Sequence, residues 1–256
     1  MKPRVLVLRT AGTNCDKETE FAFKSSGAVT ELLHINHVKR EKSLGRFQII
    51  ALPGGFSYGD DLGAGKIFSL ELLLWLKDAL KKFVDKGGLM IGICNGFQIM
   101  VKTGILPDAD FVQQVTLSDN DSGRFEDRWI YLRRATNDQR PAANIWLKGL
   151  PEVIAMPVAH GEGKFIAPVA VLKRIEKNHQ VAFRYCDHNG KSAAYPYNPN
   201  ASLNDIAGIT DASGRVLGLM PHPERAMFRH QLPDWQDKRS MAWGKKIFDN
   251  AVSYFR

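Results

Sequence analysis

Short apolar runs alternate with amphipathic stretches through the first hundred residues. Val5–Leu8, Val29–Leu33, Ile49–Leu52 and Leu89–Ile93 are short, rich in Val, Ile and Leu, and bounded by Gly, Pro or Asn, which reads as a set of buried strands. Between the last two, Ile67, Leu70, Leu73, Leu76, Leu80 and Phe83 recur at helical spacing, and Gly87-Gly88 supplies the stop. A second helix is predicted to open at Asn95 and to end at Gly104, with Pro107 beyond it. This alternation predicts an α/β fold: a doubly wound, mostly parallel sheet flanked by helices, with right-handed crossovers.

The texture changes between Phe111 and Tyr195. Arg128–Leu132, Val153–Met156 and Val181–Tyr185 read as strands, and no helical repeat separates them. They predict an antiparallel edge on the same sheet, so that residues 1–256 form a single domain. Pro196–Asn204 reads as a polar loop. Strands resume at Ile206–Ile209 and Val216–Leu219, and the tail beyond Pro233 is expected to be helical.

Composition narrows the class. A chain of 256 residues that is 44% hydrophobic can bury a sizeable core. No run approaches the roughly 18 apolar residues of a membrane span. The apolar stretch after Met1 is too short for a signal peptide and reads as a first strand, which predicts a cytoplasmic protein. Cys15, Cys94 and Cys186 are odd in number and far apart, against both a disulfide framework and a structural zinc site, so no metal is expected. The net charge of +8 comes from scattered pairs such as Lys39-Arg40 and Lys245-Lys246. A solvated basic surface is the plainest reading, ahead of an acidic partner or a phosphorylated substrate; nucleic acid is not expected, because no recognition motif accompanies the charge.

The most informative stretch is Gly92-Ile93-Cys94-Asn95-Gly96, a buried strand that runs through Gly-x-Cys-x-Gly into a helix. That is the layout of a nucleophile elbow with Cys in place of Ser. The glycines leave room for the backbone around a strained turn, and the helix opening at Asn95 points its positive end at the sulfur. The Asn95 N–H is then a natural oxyanion donor. A free cysteine is also commonly a small buried apolar residue, and only the elbow favours chemistry here.

A nucleophilic Cys needs a base and a residue to orient it. Among the seven histidines, His222 stands out in Met220-Pro221-His222-Pro223-Glu224. Prolines on both sides exclude regular helix, and on an extended chain Glu224 projects to the same side as His222. A turn histidine satisfied by backbone is the plainer alternative. Pro53-Gly54-Gly55 follows the third strand and offers Gly55 as a second oxyanion donor, although a simple turn would read the same way. Gly63-Ala64-Gly65-Lys66 fails as a phosphate loop, because Asp60 and Ile67 stand where that motif needs Gly and Ser or Thr. No other nucleotide motif is present, so no cofactor is expected in this chain.

Gly-x-Cys-x-Gly-x-Gln with a later His-x-Glu resembles the class I, flavodoxin-like glutamine amidotransferases. Arg9–Asp16, Pro53–Asp60, Gly92–Gln98, Ser122–Glu126, His160–Gly163, Tyr195–Asn200 and Met220–Arg225, in order, resemble more narrowly the glutaminases of phosphoribosylformylglycinamidine synthase. The resemblance implies that Cys94, His222 and Glu224 form a triad, that Gly55 and Asn95 are the oxyanion donors, and that Gln98 binds glutamine. His160 is carried as an accessory candidate, with a structural role as the plainer reading. The resemblance also implies that ammonia released from glutamine passes to a synthetase subunit that uses ATP and Mg, with a small bridging subunit between them. Asp61–Lys66 and Leu232–Trp235 look closer to the long single-chain form, which leaves the partner arrangement open. A stand-alone cysteine hydrolase of this fold and a non-catalytic binding subunit are the rivals.

Overall fold

The computed structural model describes residues 1–41, 43–135 and 145–256. Its frame is a nine-stranded sheet ordered β2-β1-β3-β4-β11-β10-β9-β6-β7. One half comprises β1 (Arg4–Arg9), β2 (Val29–His34), β3 (Ile49–Leu52), β4 (Leu89–Ile93) and β11 (Val216–Leu219), and neighbours within it pair in parallel. Every residue of β3, β4 and β11 is buried, as befits strands covered on both faces. Helices provide that cover. Helix α1 (Asp16–Ser25) packs on α6 (Gly244–Ser253), with the Phe23 and Phe248 rings edge to face at 5.0 Å, while α3 (Lys66–Asp85) packs on α4 (Asn95–Lys102). Helix α2 (Ile35–Glu41) follows β2.

The other half comprises β6 (Glu126–Arg134), β7 (Val153–His160), β9 (Val181–Cys186) and β10 (Ile206–Thr210), and it is antiparallel. Buried and half-buried residues alternate strictly along β7, the mark of a sheet with one covered face. β5 (Thr116–Asp119) and β8 (Glu162–Ile166) form a separate antiparallel ribbon. The sheet is mixed: the expected parallel core flanked by helices and the expected antiparallel edge are both present, and the edge is as wide as the core.

Two local expectations need correction. Helix α5 (Val169–Lys177) lies inside the stretch expected to lack helices. Its apolar residues Val171, Leu172 and Ile175 keep helical spacing, but the run is only nine residues long and its Val-Ala-Val start imitates a strand. The tail helix begins at Gly244, not just beyond Pro233. The intervening Asp234 and Asp237 spend their carboxylates on Ser240 and Arg239 in local turns, which compete with helix.

The strand order reverses between β1 and β3, and ligands of open α/β sheets bind outside the carboxyl ends of strands at such a point. The residues that follow β1, β3, β4 and β11 at that end include Cys15, Gly54, Cys94 and His222.

Candidate active site

Cys94 sits between β4 and α4 with φ +51° and ψ −107°, a strained conformation for a non-glycine residue. The flanking glycines permit it. A Cβ on Gly96 would lie 1.9 Å from the Leu52 carbonyl oxygen, and one on Gly92 would lie 2.6 Å from the Gly96 oxygen. The Cys94 carbonyl accepts the N–H groups of Phe97 (2.9 Å) and Gln98 (3.1 Å), which seats the sulfur over the first turn of α4. Asn95 is the first residue of that helix, so its N–H has no intrahelical partner. The Cys94 sulfur is 3.6 Å from the Ala159 carbonyl.

β11 runs parallel to β4 with Leu219 opposite Ile93, and the Cys94 N–H donates to the Leu219 carbonyl at 2.8 Å. This register delivers the residues beyond Leu219 to the elbow. His222 Nδ1 meets Glu224 Oε1 at 2.6 Å, and both side chains are buried. The contact expected of an extended His-x-Glu forms instead through a 3-10 turn over Pro223–Arg225, opened by a proline that needs no N–H partner there. Burial opposes charge on His222, yet the Coulombic pull of Glu224 and then of Cys94 outweighs it, and the imidazole titrates well above its ordinary value. Its Nε2 is buried without a hydrogen-bond partner.

Gly54 and Gly55 lie across from the elbow. A Cβ on Gly54 would meet His222 Cε1 at 2.8 Å, Cys15 Sγ at 3.2 Å and Cys94 Cβ at 3.4 Å, so these three side chains converge on one point. Gly55 adopts φ +144°, where a Cβ would fall 2.7 Å from the Asn14 nitrogen. The Asn95 side chain is spent on the scaffold, accepting from Ser57 Oγ (2.7 Å) and donating to Asp60 (3.1 Å) and Gln98 (2.9 Å).

Gly55, Cys94, Gln98, Arg124, Phe125 and His160 line one cleft of about 570 Å³. Gln98 Nε2 donates to the Glu162 carbonyl, so its amide holds the β7–β8 corner as well as facing the cleft. His160 is buried in a polar cluster, with Nδ1 3.0 Å from Asn120 Oδ1. Burial first, and the neighbouring His222 second, push its pKa down to about 3, so the imidazole is neutral. Asn120 is the hub of the cluster: it donates to the His160 and Arg124 carbonyls at 2.8 and 2.9 Å and accepts from the Gly163 N–H at 3.1 Å. A separate cavity of about 390 Å³ lies at the amino ends of β3 and β4, lined by Leu44, Phe47, Phe83 and Phe255, away from these groups.

The structure thus brings Cys94, His222, Glu224, Gly55, Asn95, Gln98 and His160 to one end of the sheet. Sequence reading missed Asn120, two residues before the Ser122–Glu126 stretch, and the Glu162 carbonyl, which lies within His160–Gly163. It also left Cys15 undistinguished among the thiols, although Cys15 follows a buried strand just as Cys94 does. Cys15, His222 and Glu224 are the group of described residues close enough to share a metal ion.

The family described as the CobB/CobQ-like glutamine amidotransferase domain matches residues 2–255. A curated relative from Dehalococcoides mccartyi, phosphoribosylformylglycinamidine synthase subunit PurQ, is 47% identical across 100% of this chain and 98% of its own length. The chain belongs to the PurQ family. Another member, the subunit of that name from Methanococcus maripaludis, is 40% identical over 100% of this chain and 99% of its own. The solved structure of PurLQS from Thermotoga maritima is 32% identical, covers 100% of both chains and superposes with a TM-score of 0.75. PurQ membership bears out the resemblance to glutamine amidotransferases and the fold expected from it.

Proposed function

We propose that this protein hydrolyses glutamine to glutamate and ammonia and supplies the ammonia to a phosphoribosylformylglycinamidine synthase. The observation that carries this reading is the pairing of a positive-φ Cys94 elbow with a His222–Glu224 contact of 2.6 Å on the adjacent parallel strand. In the reaction, the Cys94 thiolate attacks the side-chain amide carbon of glutamine. The N–H groups of Gly55 and Asn95 receive the oxyanion, each such donor typically supplying about 10²–10³ in rate. The tetrahedral species collapses as His222 gives its proton to the departing ammonia. His222 then takes a proton from water, which attacks the thioester; glutamate leaves and the sulfur is restored. Glu224 fixes the ring and compensates the imidazolium, while Gln98 and the 159–162 corner shape the substrate cleft.

The subunit names of the relatives support the partners: a synthetase subunit corresponding to PurL and a small one corresponding to PurS. ATP and Mg serve the synthetase, and this chain needs no cofactor of its own. We read residues 1–256 as one domain, because one sheet joins the strands of both halves. The cytoplasm fits three unpaired thiols; among the described residues no helix is long and apolar enough to cross a membrane. The test is a glutaminase assay on protein co-purified with its partners. Cys94→Ser should abolish ammonia release, and full activity in that variant would refute the assignment.

A further inference from the structure

Cys15 has no part in the chemistry above, yet it touches the groups that perform it. It is buried at the carboxyl end of β1, caps α1 with its backbone, and carries its sulfur to the same point as His222 and Cys94. The Cys15 sulfur, a ring nitrogen of His222 and a carboxylate oxygen of Glu224 lie within 4.8 Å of one another. Two atoms of this group have unmet capacity: His222 Nε2 and Glu224 Oε2 are buried with no hydrogen-bond partner. A buried polar atom left unpaired costs about 1–3 kcal/mol, so it calls for an explanation. Acid–base work on Cys94 explains Nε2. It does not explain the second Glu224 oxygen, which shares the cluster with a thiol that donates to Asn14 Oδ1 and accepts from Arg225, both at 3.2 Å.

We propose that Cys15, His222 and Glu224 bind a thiophilic divalent cation of the Zn²⁺ class, which takes the base out of catalysis and reversibly switches the glutaminase off. Sulfur, imidazole and carboxylate donors suit zinc, whose bonds to them run about 2.0–2.3 Å, and they disfavour Mg²⁺ and Ca²⁺, which prefer oxygen alone. Ligand atoms around a tetrahedral ion of that size lie roughly 3.4–3.8 Å apart, so an ion on the Glu224 side of the ring replaces the proton between Nδ1 and Oε1, now 2.6 Å apart, and draws the Cys15 sulfur in by up to about 1 Å. Binding releases two protons, one from the Cys15 thiol and one from the His222 imidazolium, and leaves a thiolate and a neutral imidazole on the metal.

Glu224 and Arg225 also line a cavity of about 400 Å³ with Lys17, Glu18, Phe21 and Phe228, distinct from the substrate cleft and offering a route for the ion. Arg225 guards that route. Its Nη2 donates to the Cys15 sulfur at 3.2 Å while its Nε pairs with Glu18 at 2.9 Å, placing a positive charge where a cation would come.

The metal-binding part stands on geometry alone; the inhibition rests on the proposed triad. Co²⁺ titration of the purified chain, followed by the thiolate-to-metal charge-transfer band, reads the first part. Zn²⁺ inhibition of glutaminase in the partner complex, reversed by chelator, reads the second. The band should appear in the wild type and in Cys94→Ser and vanish in Cys15→Ser. Cys15→Ser should keep glutaminase activity while needing at least about tenfold more Zn²⁺ for half-inhibition, and Arg225→Met should need less than the wild type. A band lost in Cys94→Ser, or unchanged Zn²⁺ sensitivity in a folded Cys15→Ser, would overturn the proposal. Zn²⁺ sensitivity that persists when Cys94→Ser retains full activity would instead sink the triad and leave the metal site standing.

Discussion

The two halves of the sheet divide the work of the site. The parallel half is buried on both faces from β3 to β11 and delivers Cys94, Gly55 and His222 from the ends of neighbouring strands. The antiparallel half, from β10 to β7, opens a half-exposed face at its outer strands β6 and β7 and contributes a corner, residues 159–163, that faces Cys94 and Gln98. Each half holds one buried histidine, and the two are perturbed in opposite directions. His222, against Glu224, is raised; His160, among neutral amides, is lowered to about 3. Equal burial thus prepares one ring to carry a proton and the other to refuse it, and the partner carboxylate decides which.

The largest effect that would break this division is expected at the elbow. Gly96→Ala places a methyl into the Leu52 carbonyl, and nothing flexible can yield. Chemical denaturation should show a loss of at least about 3 kcal/mol, with ammonia release abolished. Glu224→Gln comes next. It keeps the shape but removes the charge that supports imidazolium, so kcat should fall by about 10²–10⁴ with little change in KM.

Changes in the antiparallel half should move binding and stability instead. Asn120→Ala strands the partners around His160 and should cost roughly 2–4 kcal/mol in denaturation. The loosened corner should raise KM for glutamine about tenfold while kcat moves less. A fall in kcat with an unchanged KM would show that the halves do not divide the work in this way.

The segregation of the two halves was largely legible in the sequence, for a physical reason. Strands buried on both faces must be continuous apolar runs, so Ile49–Leu52 and Leu89–Ile93 announced themselves, as did the 3.6-residue repeat of α3. Cys94 and His222 were legible because strained turns demand Gly and Pro at fixed offsets. The roof of the cleft was not. Asn120, His160 and Gly163 are 40 or more residues apart or set at a sheet corner, and only folding brings them into one cluster. Cys15 escaped because its neighbours, His222 and Arg225, come from the far end of the chain.

The histidines sharpen the comparison through pH. An unfolded His titrates near 6.5, so below that value the unfolded chain takes up a proton that native His160 refuses until about pH 3. Stability present above 6.5 is therefore lost progressively as pH falls, and His160→Asn should flatten this acid limb of the melting profile. His222 has the opposite sign. Its contribution is full below about 6.5 and is lost as pH rises through its elevated native value, so Glu224→Gln should flatten the alkaline limb. The smallest effect belongs to the exposed face of β6, where Tyr131→Ser should change stability by no more than about 0.5 kcal/mol.

Cys94 and Cys15 lie beside the same imidazole, so which sulfur attacks glutamine is the question to settle first. A glutamine-mimicking alkylating agent, followed by peptide mapping, answers it. A single adduct on Cys94 that excess glutamine prevents is the expected result; an adduct on Cys15, or none on Cys94, would contradict the assignment.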